Sequence, residues 1–230
     1  MRYTIALAGA LAAASAAHAN LTVFDPTMAD ADWSLTKVHD TTPMGDAQGT
    51  GLAQATGGNP GGYRFGVHNW QIVPSGVSIA FAHLRSGAVW MPSGAGAITS
   101  VSVSFDAACF QAPLVNAVAL GLVCVQNGDF YFAVTSPSAA IAGNGWSTFS
   151  GTFTQASFQP LVPGAPNNLD FSSAGAPIQF GFYSANGGSG ASMRNGATFG
   201  VDNFNLTIVP APGVLALAGL GALAAGRRRR

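Results

Sequence analysis

The chain has 230 residues, of which only 8% are charged, and its nine basic residues balance nine acidic ones. With 48% hydrophobic residues it is no disordered polyelectrolyte, because such chains need high charge and few apolar groups. The balance is uneven along the chain: Arg2 and Arg227–Arg230 hold most of the cations, so between Asn20 and Ile208 only Lys37, Arg64, Arg85 and Arg194 face nine aspartates, a net charge of −5. That acidity excludes nucleic acid and anionic lipid as partners of the central region.

The chain begins with Arg2, an apolar run over residues 5–17, and Ala17-His18-Ala19. A basic start, a short apolar stretch and a small-x-small end predict a signal peptide over 1–19, handled by the export machinery and signal peptidase. About 190 residues follow, enough for one domain over 20–208 with a sizeable core.

That domain shows no long helical periodicity. Gly57-Gly58-Asn59-Pro60-Gly61-Gly62 reads as a mobile loop. Val77, Ile79 and Phe81 alternate with small residues, as do Val101, Val103 and Phe105, each pattern giving a strand one apolar face. Residues 117–125 and 129–134 flank Asn127-Gly128, a pair suited to the positive φ angles of a hairpin turn. Phe149, Gly151 and Phe153 share one parity, and Ile178, Phe180 and Phe182 another; residues 186–196 read as a second mobile loop.

In the last strand the apolar parity switches between Val201 and Phe204. A bulge near Asp202-Asn203 would return these residues to one face. The pattern predicts an all-β fold, an antiparallel β-sandwich of jelly-roll type, with an N-terminal signal helix and a C-terminal transmembrane helix.

The only cysteines, Cys109 and Cys124, are read as a disulfide in an exported chain, with two separately buried thiols as the alternative. Trp70, Trp90, Tyr63 and Tyr131 are candidates for stacking on a sugar ring, against the commoner role of such residues in packing, whereas Trp33 and Trp146 are assigned to the core. His39, His68 and His83 lack metal-ligand spacing and read as surface or hydrogen-bonded strand residues. No Gly-x-Ser-x-Gly, no His-Glu-x-x-His and no glutamate is present, so the chain is read as non-enzymatic and catalytic residues are assigned to none.

Residues 209–230 close the chain with Pro210-Ala211-Pro212-Gly213, an apolar run over 214–225, Gly226 and Arg227, Arg228, Arg229 and Arg230. Guanidinium groups behind an apolar run act as a membrane stop and leave the upstream domain outside the cytoplasm. The three parts in this order resemble the PEP-CTERM sorting signal of Gram-negative bacteria, although Ala211 stands where that family most often has glutamate. The resemblance implies transient inner-membrane anchoring through the C-terminal helix, cleavage by an exosortase-type protease, and delivery to the cell surface or an exopolysaccharide matrix. Residues 57–63, Phe180-Gly181-Phe182 and Gly200-Val201-Asp202-Asn203-Phe204 resemble segments of PEP-CTERM proteins with carbohydrate-binding-module-like or laminin-like jelly rolls. That resemblance implies a polysaccharide partner as the alternative function, and a structural calcium at Asp25 and Asp202.

Overall fold

The structure is a computed structural model and describes residues 19–112, 116–190 and 193–212. Residues 1–18 of the expected signal over 1–19, Gly213, the apolar run over 214–225 and the four arginines lie outside the described residues; among those described, no helix is long and apolar enough to cross a membrane. Among the described residues twelve strands follow in order: β1 Leu21–Asp25, β2 Trp33–Asp40, β3 Gln48–Gly58, β4 Gly61–Ile72, β5 Val77–Trp90, β6 Ile98–Gln111, β7 Ala117–Gln126, β8 Asp129–Ile141, β9 Ser147–Phe153, β10 Gln159–Pro160, β11 Ile178–Gly188 and β12 Met193–Pro210.

The pairings between these twelve strands are antiparallel and build two sheets. The first runs β3-β4-β12-β6-β9, with β1 taking over from β4 along the second half of β12. The second runs β2-β5-β11-β7-β8, with β10 on β8, and the pair Ser136↔Ser150 and an isolated parallel bridge Cys109↔Ala142 link the sheets at one edge. The sheets pack face to face, as a jelly-roll-type sandwich requires. Phe105 and Phe182 meet across the interior at 6.1 Å, and Trp33 and Phe204 at 5.0 Å edge to face.

The Asn127-Gly128 hairpin forms as expected, with φ of 55° and 88° at its two corner residues. The expected bulge on β12 is also present: the register shifts between Asp202 and Asn205, and Asn203 takes the left-handed φ of 53° that makes room for the extra residue. Phe199, Val201, Phe204, Leu206 and Ile208 are all fully buried as a result.

Two expected loops are instead largely strand. Gly57-Gly58 ends β3 and Gly61-Gly62 begins β4, because these strands approach so closely that a Cβ at Gly58 would lie 2.4 Å from the Gly62 carbonyl oxygen. The turn is held rather than mobile: the Asn59 amide donates to Asp202 Oδ2 at 2.6 Å. Likewise β11 continues to Gly188 and β12 starts at Met193.

Cys109 and Cys124 are two free buried thiols, not the expected disulfide. They sit on β6 and β7, in opposite sheets. Facing sheets pack about 10 Å apart, wider than the Cα separation of about 7 Å that a bridge tolerates. Burial pushes both thiols up, well up for Cys124, so neither is a ready thiolate.

A second apolar cluster, unforeseen in the sequence, lies on the outer side of the second sheet. Ala80, Ala82, Leu84, Val123, Leu161 and Tyr183 are buried there. The Tyr183 ring lies over Gly121, where a Cβ would come within 2.5 Å of Cε1.

Candidate functional site

Several of the aromatic assignments change between sequence and structure, although Tyr63 and Trp33 keep theirs. Trp70 and Trp90, proposed as stacking residues, are 0% and 3% exposed, and Tyr131 is 1% exposed; all three belong to the core, and the Trp90 indole donates to the Gly96 carbonyl at 2.8 Å. Trp33 is buried as expected. Trp146, assigned to the core, is instead half-buried at the surface and meets Tyr63 at 5.5 Å and Phe110 at 5.9 Å, both near-perpendicular.

These rings form a platform on the outer face of the first sheet. Tyr63 and Phe65 project from β4, and Phe65 stacks on Phe110 of β6 with centroids 6.2 Å apart. Phe110 is 43% exposed and the neighbouring Leu52 of β3, paired with Phe65, is 54% exposed. Phe110 is the extra residue of a bulge, since Thr198 pairs with Gln111 while Phe199 pairs with Cys109. The bulge re-aims the ring outward.

Gly200 is the floor on which the rings converge. A Cβ there would lie 2.7 Å from Trp146 Cη2, 2.8 Å from Tyr63 Cδ2 and 3.0 Å from Phe110 Cζ. Glycine at this position lets three aromatic rings approach one backbone.

Beside the platform the β3–β4 turn meets the β12 bulge in a polar cluster. Asn203 Nδ2 donates to Asp106 Oδ2 at 2.9 Å and to the Asn59 carbonyl, Asn59 Nδ2 reaches Asp106 Oδ2 at 3.4 Å, and Thr148 Oγ1 donates to Asp106 Oδ1 at 2.6 Å. Burial pushes the Asp202 carboxyl up, the Asn59 and Asn203 amides pull it down, and the charges of Asp106 and Asp25 help leave it above the ordinary range.

Asp25 and Asp202 come together where β1 meets β12, as the calcium expectation required, but Asp25 is already committed. Its Oδ1 accepts from the Thr27 amide at 3.0 Å, the Thr27 hydroxyl at 3.0 Å and the Met28 amide at 2.8 Å. Its Oδ2 accepts from the Trp33 indole at 2.9 Å and pairs with Arg85 Nε at 2.9 Å. Burial pushes Asp25 up, yet the bonds from Trp33, Met28 and Thr27 outweigh it and hold the carboxyl below its usual value. Arg85 is thus the counter-charge, and the pair is no open cation site. Among the described residues no three His, Cys, Asp or Glu side chains gather as metal ligands.

The histidines behave as read. His39 bonds Ser78 Oγ at 2.8 Å, and His68 and His83 are buried strand residues sharing Ser184 Oγ at 2.9 and 3.0 Å.

Beyond the polar cluster the same face turns hydroxyl-rich. Thr22, Thr207, Ser102 and Thr152 stand in register across β1, β12, β6 and β9; one row over, Phe24, Asn205, Ser104 and Ser150 do the same. Ser102 and Thr152 bond at 2.8 Å, and the rows line a shallow groove of about 280 Å³.

No protein-family model and no curated protein matches the chain. Among solved structures it is similar to a family 11 carbohydrate-binding module from Clostridium thermocellum in complex with a β-1,3-1,4-mixed-linked tetrasaccharide, with 14% identity over 84% of this chain and 96% of that one and a TM-score of 0.48. It is also similar to a family 22 xylan-binding domain from Paenibacillus barcinonensis, with 12% identity over 83% and 94% of the two chains and a TM-score of 0.42.

The sequence held one usable signal for the platform. Trp146 shares its parity with Thr148, Ser150 and Thr152, the polar set of β9, and so points outward with them. Tyr63 is the one of the four stacking candidates that reaches the platform, whereas for Phe65 no signal existed, because β4 buries Arg64, Gly66 and His68 and turns its aromatic parity outward.

Proposed function

We propose that the domain is a non-catalytic glycan-binding module of an exported surface protein. The observation that carries this reading is the outward platform of Tyr63, Phe65, Phe110 and Trp146 over Gly200. Exposed rings stack on the apolar face of a pyranose, while neighbouring amides and carboxylates take its hydroxyls. A non-catalytic role is supported by the aspartates: Asp25, Asp30, Asp40 and Asp46 are paired with Arg85, Arg64, Lys37 and Arg194 respectively.

Affinity electrophoresis of the full chain through gels containing polysaccharide tests the reading. Trp146→Ala and Tyr63→Ala each weaken retention roughly tenfold, the loss of about 1.4 kcal/mol of stacking. Retention unchanged in both variants, or absent from the start on every glycan, removes the basis of the proposal.

The exported setting is part of the same proposal. It is supported by the signal pattern over 1–19 and by Pro210-Ala211-Pro212 with the arginine-ended tail, which together suit inner-membrane holding and exosortase-type cleavage. At the described end β12 runs to Pro210, and the Ala211 amide donates to the Ala97 carbonyl at 2.7 Å. Mass determination of the surface fraction is expected to find a chain starting at Asn20 and ending near Pro212. A surface protein retaining Met1 and Arg230 contradicts it.

A further inference from the structure

Resting on the glycan-binding reading, we infer that the ligand is a neutral polysaccharide held at several consecutive sugar units along β6 and β12, not a chain end and not a uronate polymer. The platform alone would take one ring. The outer face continues past it: by alternation the outward positions along β6 are Phe110, the covered Ala108, Asp106, Ser104 and Ser102, and at about 3.3 Å per residue they span roughly 26 Å. Phe110 and Trp146 mark one end, Asp106 with Asn59 and Asn203 the middle, and the groove of Ser102, Ser104, Ser150, Thr152, Asn205 and Thr207 the other end.

The chemistry changes along this path in the way an extended glycan needs. Ring faces stack at one end, whereas hydroxyl and amide groups at the other both donate and accept, matching sugar hydroxyls. The two rows cross the strands one behind the other along β6, so a ligand that meets the platform, the polar cluster and both rows in turn lies along the strands.

Charge selects against anions. The middle of the path holds Asp106, with the fully buried Asp202 next to it in register, and among the described residues the cation on this face, Arg194, sits at the far end of β12 and is paired with Asp46. A carboxylate-bearing sugar passing between platform and groove would meet like charge at close range.

Isothermal titration of the full chain with neutral oligosaccharides from di- to hexasaccharide, alongside neutral β-glucan, xylan and polygalacturonate, tests this. Affinity is expected to rise at least tenfold from di- to hexasaccharide, and polygalacturonate to bind at least tenfold more weakly than the neutral polymer. The triple variant Ser104→Ala, Ser150→Ala, Asn205→Ala loses that length dependence but keeps the disaccharide affinity, and Trp146→Ala loses both. Length-independent affinity, equal binding of polygalacturonate, or an unchanged triple variant overturns the inference while Trp146-dependent binding leaves the glycan reading standing. Failure of every glycan to bind overturns both.

Discussion

Acidification from pH 7 to pH 4.5 is expected to lower the unfolding free energy by about 2 to 3 kcal/mol through His68 alone, at 1.36 kcal/mol per unit between an unfolded value of 6.5 and a folded value of about 4. The cause is burial first, with the bond to Asn186 Oδ1 at 2.6 Å opposing it only in part. His83 is displaced well downward as well, by burial and then by the charges of Arg64 and His68. In both cases the unfolded chain binds the proton more readily. Stability is therefore complete above about 6.5 and is lost as pH falls towards the folded values.

The groups facing these rings offer no carboxylate to receive the proton: Ser184, Asn186 and Arg64 stand around them with Phe81, Phe182 and Phe199. Asp202, displaced upward, works in the opposite sense and offsets a part of the loss. Asp40, held at about 2 after burial is outweighed by Lys37 and Thr42, keeps its charge throughout this window. Urea unfolding across the range reads the effect as a falling midpoint at constant slope. His83→Gln keeps a donor for Ser184 and does not titrate, so it is less stable at pH 7 but gives a shallower pH profile. A flat profile for the unaltered protein contradicts the assignment.

Gly66→Ala is expected to destabilise the core by about 3 kcal/mol or somewhat more. The added Cβ would lie 2.2 to 2.6 Å from Phe199 Cζ, Cε2 and Cε1. The ring has nowhere to retreat, because it is 0% exposed and edged by His68 at 5.1 Å and His83 at 6.2 Å. Phe199→Leu removes the colliding ring edge and by itself costs about 1 to 2 kcal/mol. The double variant is expected to be more stable than Gly66→Ala alone, giving a coupling above about 1 kcal/mol in a double-mutant cycle. Additive losses would mean that the strain lies elsewhere.

Both results concern a face of β4 that sequence periodicity inverts. Its alternation places Tyr63, Phe65 and Val67 on one parity and Arg64, Gly66 and His68 on the other, and the apolar parity is the natural choice for the interior. The fold buries the polar set because each member finds a partner there. Arg64 donates to Asp30 at 3.2 Å and to the Gly51 carbonyl at 2.9 Å, Gly66 makes room for Phe199, and His68 bonds Asn186 and Ser184. These partners come from β3, β11, β12 and the turn before β2, distant in sequence. The tryptophans were misjudged for a related reason, since Trp70 follows the inverted parity of β4.

What the residues alone determined was local and periodic: the all-β class, the Asn127-Gly128 turn, the β12 bulge, the buried bonded histidines and the acidity of the domain. Each follows from side-chain alternation, from the few residue types that tolerate positive φ, or from charge, none of which needs a distant neighbour. Tertiary structure alone decided that Trp70, Trp90 and Tyr131 are core while Phe110 reaches solvent, that Cys109 and Cys124 lie in opposite sheets, and that Arg85 neutralises Asp25. Those outcomes depend on which strands become neighbours, and in a sandwich most neighbours are far apart along the chain.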